Sequence, residues 1–231
     1  MEPRQRLIVA LDVSTAAAAR KIVAAVGDSA LAYKVGMQLY TAEGPSIVRE
    51  LVGAGRRVFL DLKYHDIPNT VGAAVCEAAQ LGVSMLTVHA SGGGKMLRAA
   101  VDAAHAIKAD VLVLGVTVLT SLDDVDLGKI GLRGGVLDQV LRLAALALSN
   151  GCKGVVASAL EAAALRKEFG RDFVIVTPGV RPAGSGPNDQ ARIVTPAEAI
   201  AAGASYIVVG RPITEAADPA SEARAILGQM G

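Results

Sequence analysis

Short apolar runs alternate along the chain with longer stretches in which apolar residues recur every three or four positions. The runs are Leu7–Asp12, Ala30–Val35, Arg57–Lys63, Ser84–His89, Asp110–Leu119, Gly154–Ala157, Asp172–Thr177 and Ser205–Gly210. β-Branched residues dominate several of them, and Gly, Pro, Asn or Asp bounds most, the pattern of short buried strands. Helical patterns fill the intervals. Ala16–Val26 follows the capping pair Ser14 and Thr15, Val71–Leu81 follows Pro68, Asn69 and Thr70, and Lys95–Ala106 follows Ser91 and three glycines. Further on come Gly135–Ser149, Ala159–Phe169, a short helix from Thr195-Pro196 to Gly203, and Pro219–Leu227.

Eight strand–helix units in 231 residues come to ~29 residues each, the spacing of a minimal βα repeat. The expected fold is therefore α/β, a single-domain (β/α)8 TIM barrel over residues 1–231. A doubly wound open sheet fits less well. It usually has fewer strands, and Gly92-Gly-Gly94 lacks the glycine spacing of a dinucleotide-binding turn. The segment 181–192, rich in Gly, Pro, Ser and Asn, is the longest expected loop; a loop of that length is more often functional than accidental.

Composition narrows the core and the partners. Tryptophan is absent and aromatics make up 3%, so the core must be built from Ala, Val, Leu and Ile, which suit parallel strands under Ala-rich helices. The formal net charge is +1 with basic residues dispersed, so neither a nucleic-acid surface nor a polybasic membrane patch is expected. Cys76 and Cys152 stand alone in apolar stretches and read as small buried residues. The run Leu7–Leu11 stops at Asp12, too short for a signal peptide, and no run approaches a membrane span. A reducing cytoplasm is the expected compartment.

In such a barrel the chemistry lies at the C-terminal ends of the strands. The polar residues there are Asp12, Lys34, Asp61, Lys63, His89, Thr120, Arg181 and Arg211. Period-two alternation places Asp61 and Lys63 on one face of the third strand. A carboxylate and an ammonium side by side at a barrel mouth are costly to bury unless paired or used; a structural ion pair is the plainer alternative. At the eighth strand, Gly210 permits close backbone approach and Arg211 offers a charged fork. The loops after strands seven and eight are the recurrent phosphate site of this fold, which points to a small phosphorylated ligand. His89 reads as a hydrogen-bonded pocket wall more readily than as a catalyst.

Together these residues resemble the orotidine 5′-phosphate decarboxylase family. The most specific stretch is Asp61-Leu-Lys-Tyr-His-Asp-Ile-Pro-Asn-Thr70, the family's DxKxxDIxNT element. Leu7–Asp12, Tyr33–Gly36, Val116–Ser121, Thr177–Arg181 and Val209–Thr214 also match, in order. The resemblance implies decarboxylation of orotidine 5′-monophosphate to uridine 5′-monophosphate, without metal or organic cofactor, by a homodimer with shared sites. By resemblance, Lys63 protonates C6 of the pyrimidine. Asp61, Lys34 and Asp66 complete a charge array, Asp66 reaching in from the second subunit. Asp12 and the partner's Thr70 hold ribose hydroxyls, Thr120 and Ser121 line the pyrimidine edge, and Arg181, Gln190, Gly210 and Arg211 hold the phosphate.

Two other readings compete. Metal-dependent relatives on the same barrel carry a Glu for Mg²⁺ where this chain has Lys34, and a cation there would repel the metal. A nucleotide-binding sensor or scaffold would have no need to retain both Asp61 and Lys63.

Overall fold

The structure is a computed structural model that describes residues 2–107, 110–182 and 194–231. It opens with α1 (Pro3–Arg6), β1 (Leu7–Ala10), α2 (Ala16–Val26), β2 (Ala32–Gly36), α3 (Met37–Glu43), α4 (Pro45–Gly53) and β3 (Arg57–Tyr64). Next come α5 (Pro68–Gln80), β4 (Met85–His89), α6 (Gly94–Ile107), β5 (Leu112–Val116), α7 (Asp124–Lys129), α8 (Val136–Ser149) and β6 (Gly154–Val156). The chain ends with α9 (Ala159–Phe169), β7 (Val174–Thr177), α10 (Pro196–Ala201), β8 (Tyr206–Val209), α11 (Arg211–Thr214) and α12 (Pro219–Gly228).

The eight strands are all parallel and close in sequence order, β8 pairing with β1 through Leu7↔Ile207, Ile8↔Val208 and Val9↔Val209. This is the expected (β/α)8 barrel. Strand alternation divides the core in two. Ile8, Ala10, Ala32, Phe59, Met85, Leu114, Val176, Tyr206 and Val208 form a cluster of their own inside the barrel. Their sequence neighbours Leu7, Val9, Tyr33, Val35, Leu60, Leu86 and Ile207 join the larger cluster packed beneath the helices. Continuing the inward parity upward leads from Ala10 to Asp12, from Ala32 to Lys34, from Phe59 to Asp61 and from Val208 to Gly210. The charged mouth is thus the top of the same residue columns that fill the barrel.

Two helices have the predicted bounds. In α2, the Thr15 hydroxyl accepts the Ala18 N–H at 3.2 Å, and Ala19, Ile22 and Val26 are buried along one face. In α9, Ser158 caps the first turn. Several expectations need correction. α5 begins at Pro68, so Thr70 lies inside its first turn rather than before it; proline is favoured at the first helical position, where its missing N–H has no intrahelical partner to lose. β5 stops at Val116, short of Leu119, because its neighbour β6 offers only Gly154–Val156 for pairing. β1 likewise ends at Ala10 rather than Asp12. Five short helices, α1, α3, α4, α7 and α11, stand where none was expected. Most of the segment 181–192 lies outside the described residues.

Candidate active site

Pocket and chain order meet at the strand ends. A cavity of about 560 Å³ opens at the C-terminal mouth of the barrel, lined chiefly by residues in or just after β1, β2, β3, β5, β6, β7 and β8. Asp12, Lys34, Asp61, Lys63, Thr120, Arg181, Gly210 and Arg211 all line it. Four cations (Lys34, Lys63, Arg181, Arg211) and three acids (Asp12, Asp61, Glu215) line the cavity, a balance that favours an anionic ligand.

One wall is an unbroken relay of opposite charges. Lys34 Nζ donates to Asp12 Oδ1 at 2.8 Å and lies 3.9 Å from Asp61 Oδ2. Lys63 Nζ donates to both carboxylate oxygens of Asp61 at 2.9 Å. The order is Asp12, Lys34, Asp61, Lys63, each anion beside a cation. Side-chain exposure is 12% for Lys34, 13% for Asp61 and 24% for Lys63. The two pairs made by Asp61 are largely withdrawn from water, where mutual attraction has to offset a desolvation cost of several kcal/mol for each ion, whereas Asp12, 57% exposed, stands at the wet end of the relay. Gly36 makes the approach possible: a β-carbon there would stand 2.8 Å from Lys34 Nζ and 3.3 Å from Asp12 Oδ1.

Backbone geometry is unusual at the same point. Lys63 has φ +52°, alone among described non-glycine residues in being positive. A left-handed lysine costs roughly 1–2 kcal/mol, and such outliers collect where a site demands them. The β3–β4 register also shifts here: Leu60 pairs with Leu86, but the next pair is Tyr64 with Val88. Residues 61–63 therefore bulge opposite the single residue Thr87. Thr87 is fully buried; its Oγ1 accepts the Lys63 N–H at 2.9 Å and donates to Asp61 Oδ1 at 3.0 Å. Sequence reasoning passed over this residue, because a threonine inside a strand reads as ordinary β-propensity.

The remaining predicted residues lie elsewhere or outside the described set. Asp66 and Thr70 are exposed and do not line the cavity of their own chain; Asp66 Oδ1 accepts the Ile67 N–H at 2.6 Å. Ser121 is exposed beside Thr120 and does not line the cavity either. Gln190 is outside the described residues. His89 packs against His65 in a tilted pair, ring centroids 5.3 Å apart, and is not part of the lining. Burial first, then His65 and Lys63 nearby, hold its pKa below the ordinary histidine value, with Asp61 opposing. Among the described residues, no group of three or more His, Cys, Asp or Glu side chains could hold a metal ion. No helix among them is long and apolar enough to cross a membrane.

A family model described as orotidine 5′-phosphate decarboxylase / HUMPS family matches residues 5–226. The chain belongs to this family. Orotidine 5′-phosphate decarboxylase of Hydrogenovibrio crunogenus is 49% identical over 231 residues, covering 100% of this chain and 98% of that protein. The protein of the same name from Halorhodospira halophila is 52% identical over 225 residues, covering 97% and 95% respectively. In three dimensions the chain is similar to the crystal structure of orotidine 5′-phosphate decarboxylase from Lactobacillus acidophilus. The TM-score is 0.87 at 40% identity, covering 98% of this chain and 99% of that one. The family expected from the strand-end motifs is thus the family found.

Proposed function

We propose that the protein removes the carboxylate of orotidine 5′-monophosphate as CO₂ and yields uridine 5′-monophosphate, a step of pyrimidine nucleotide synthesis, as a cytoplasmic homodimer in which each chain is one barrel domain. The observation that carries this reading is the Asp12–Lys34–Asp61–Lys63 relay at the mouth of a family member's barrel.

The C6–carboxylate bond breaks with its electron pair left on C6, a carbanion that the ring delocalises poorly. Enzymes lower barriers by about 8–23 kcal/mol, and this step needs the upper part of that range. The Lys63 ammonium lies beside the developing charge, stabilises it, and delivers its proton to C6, becoming a neutral amine. Asp61 holds that ammonium through two hydrogen bonds. Lys34 holds Asp61 in turn, and Asp66 of the partner subunit completes the array. Asp12 and Thr70 of the partner subunit bind ribose hydroxyls. Thr120 and Ser121 meet the pyrimidine edge. Arg181, Gln190, Gly210 and Arg211 take the phosphate, whose binding energy, far from C6, is expressed in the transition state.

No step assigns work to a metal or an organic cofactor. Where metal-dependent relatives place an acid, this chain has Lys34, already bound to Asp12. Purified protein mixed with orotidine 5′-monophosphate in excess chelator should show the ultraviolet change of decarboxylation at full rate. Absence of turnover overturns the assignment. A large loss that Mg²⁺ restores overturns the cofactor-free part alone.

A further inference from the structure

Lys63 occupies a backbone conformation that a lysine does not adopt unaided, and something must hold it there. Ordinary β3–β4 pairing cannot, since the register breaks between Leu60 and Tyr64. Inside that break the Lys63 N–H would lack a strand partner, and a buried unpaired N–H is costly. Thr87 supplies the acceptor. Its single hydroxyl proton is donated to Asp61 Oδ1. Asp61 Oδ1 in turn receives Lys63 Nζ. The bonds close a ring that begins and ends on Lys63: main-chain N–H to Thr87 hydroxyl, hydroxyl to carboxylate, carboxylate to the ammonium of the same residue.

From this ring we infer that Thr87 is a positioning residue for the decarboxylation, setting the Lys63 ammonium and the Asp61 carboxylate against each other and against the substrate's C6. The inference rests on the reaction proposed above. Thr87 does not line the cavity; it acts through Lys63 and Asp61. Two features favour this role over simple packing. The side chain is fully buried, so water does not replace the hydroxyl. Its polarity is also fixed: Asp61 accepts Lys63 Nζ on both oxygens, so at the Oδ1 contact the hydroxyl is the donor, while a lone pair of the same oxygen takes the main-chain N–H.

Thr87→Val keeps the shape and removes the hydroxyl, whereas Thr87→Ser keeps the hydroxyl and removes a methyl. In Thr87→Val, kcat should fall about 10- to 100-fold, the size of losing a hydrogen bond to a charged group. KM should change less than about threefold, since no substrate contact is lost. Thr87→Ser should recover kcat to within a few-fold of wild type. Wild-type turnover is measured alongside: an inactive wild type defeats the proposed reaction, not the positioning role. With an active wild type, an unimpaired Thr87→Val overturns the inference. So does a Thr87→Ser as impaired as Thr87→Val, or a loss confined to KM. Should Thr87→Val fail to fold, the Thr87→Ala and Thr87→Ser pair at matched thermal stability gives the same comparison, and equal kcat values in that pair overturn it.

Discussion

The cavity has two unlike walls. Along β1, β2 and β3 stand four charged groups in contact with one another. Across from them, β5, β6 and β7 and the residues that follow them present Val116, Ala157, Val176 and Val180, almost entirely buried, and the partly buried Val156, all uncharged. The apolar wall gives the charged wall its strength. It keeps the local dielectric low, so each pair attracts more strongly than in water, and any charge left without its partner is penalised more heavily. A reaction that creates charge at one carbon needs that contrast. Preorganised ions provide stabilisation where the charge develops, and the dry face keeps water from levelling it.

The contrast breaks most severely at Lys63. In Lys63→Ala the proton donor disappears and Asp61 loses two charge-assisted bonds, so kcat should fall by at least ~10²–10⁴-fold; binding of uridine 5′-monophosphate should suffer far less. Retention of more than about a tenth of wild-type kcat rejects the general-acid role. The same variant tests the shared site. Refolded in equal amounts with Asp66→Ala, it should form mixed dimers in which one site carries both defects and the other none. Activity should return to about a quarter of wild type; a flat response from verified mixed dimers rejects Asp66 of the partner subunit as a contributor.

Loss at the far end of the cavity should be smaller. Arg211→Ala should lower kcat/KM for the nucleotide by ~2–4 kcal/mol while scarcely affecting the nucleoside without phosphate. Equal losses for both place Arg211 away from the phosphate. Gly36→Ala sharpens the comparison differently. The Gly36 backbone is extended, at φ −96° and ψ −177°, so alanine fits the main chain, but its β-carbon crowds the Lys34–Asp12 pair. Activity should drop roughly 10- to 100-fold through misplacement, whereas stability from urea unfolding should fall by no more than about 1 kcal/mol, the size common to point substitutions. A fall in stability matching the fall in activity shows that the fold, not the relay, depends on Gly36.

The smallest effect concerns acid. His89 has its pKa lowered in the folded state, mainly by burial. The unfolded chain therefore takes up a proton first as pH falls below ~6.5. The stability contribution is complete above that value and is lost as pH drops toward the lower folded value. His89→Gln should flatten the decline in denaturant midpoint between about pH 7.5 and about pH 5.5. An unchanged decline assigns it to other groups.

The barrel was legible because all eight strands are short apolar runs with period-two columns, and those columns also carry the charged mouth. Asp61 and Lys63 could be placed on one face from spacing alone, although the contact is made through a bulge and a left-handed Lys63 that spacing does not reveal. Residues 37–53 were not legible as helix. Gly44-Pro45 looks like a break, yet Gly44, at φ +65°, ends α3 while Pro45 takes the first position of α4. One dipeptide serves two helices. α7 was hidden by its length, and only Asp123 capping the Asp126 N–H marks its start. Thr87 was hidden because its role depends on which strand lies alongside, and strand neighbours are a tertiary fact. Asp66 and Thr70 were named through the family's DxKxxDIxNT stretch rather than by strand-end position, and both are exposed on their own chain.

Closure of the barrel by β8 against β1 has a kinetic consequence. Leu7 and Ile207 are register partners although nearly the whole chain separates them. Such a contact carries a high loop-closure entropy and forms late. Asp12, Lys34, Asp61 and Lys63, with Thr87 of β4 beneath them, belong to the first four strands, but Gly210 and Arg211 arrive only with the last strand. Until then the sheet has two bare edges, β7 and β1, open to mispairing. A ligand that needs both ends of the cavity binds only the closed form, so its presence draws the population past the joining step by mass action. Where such a ligand is abundant, it acts as a clasp on newly closed chains, lowering the fraction that reopens and exposes those edges again.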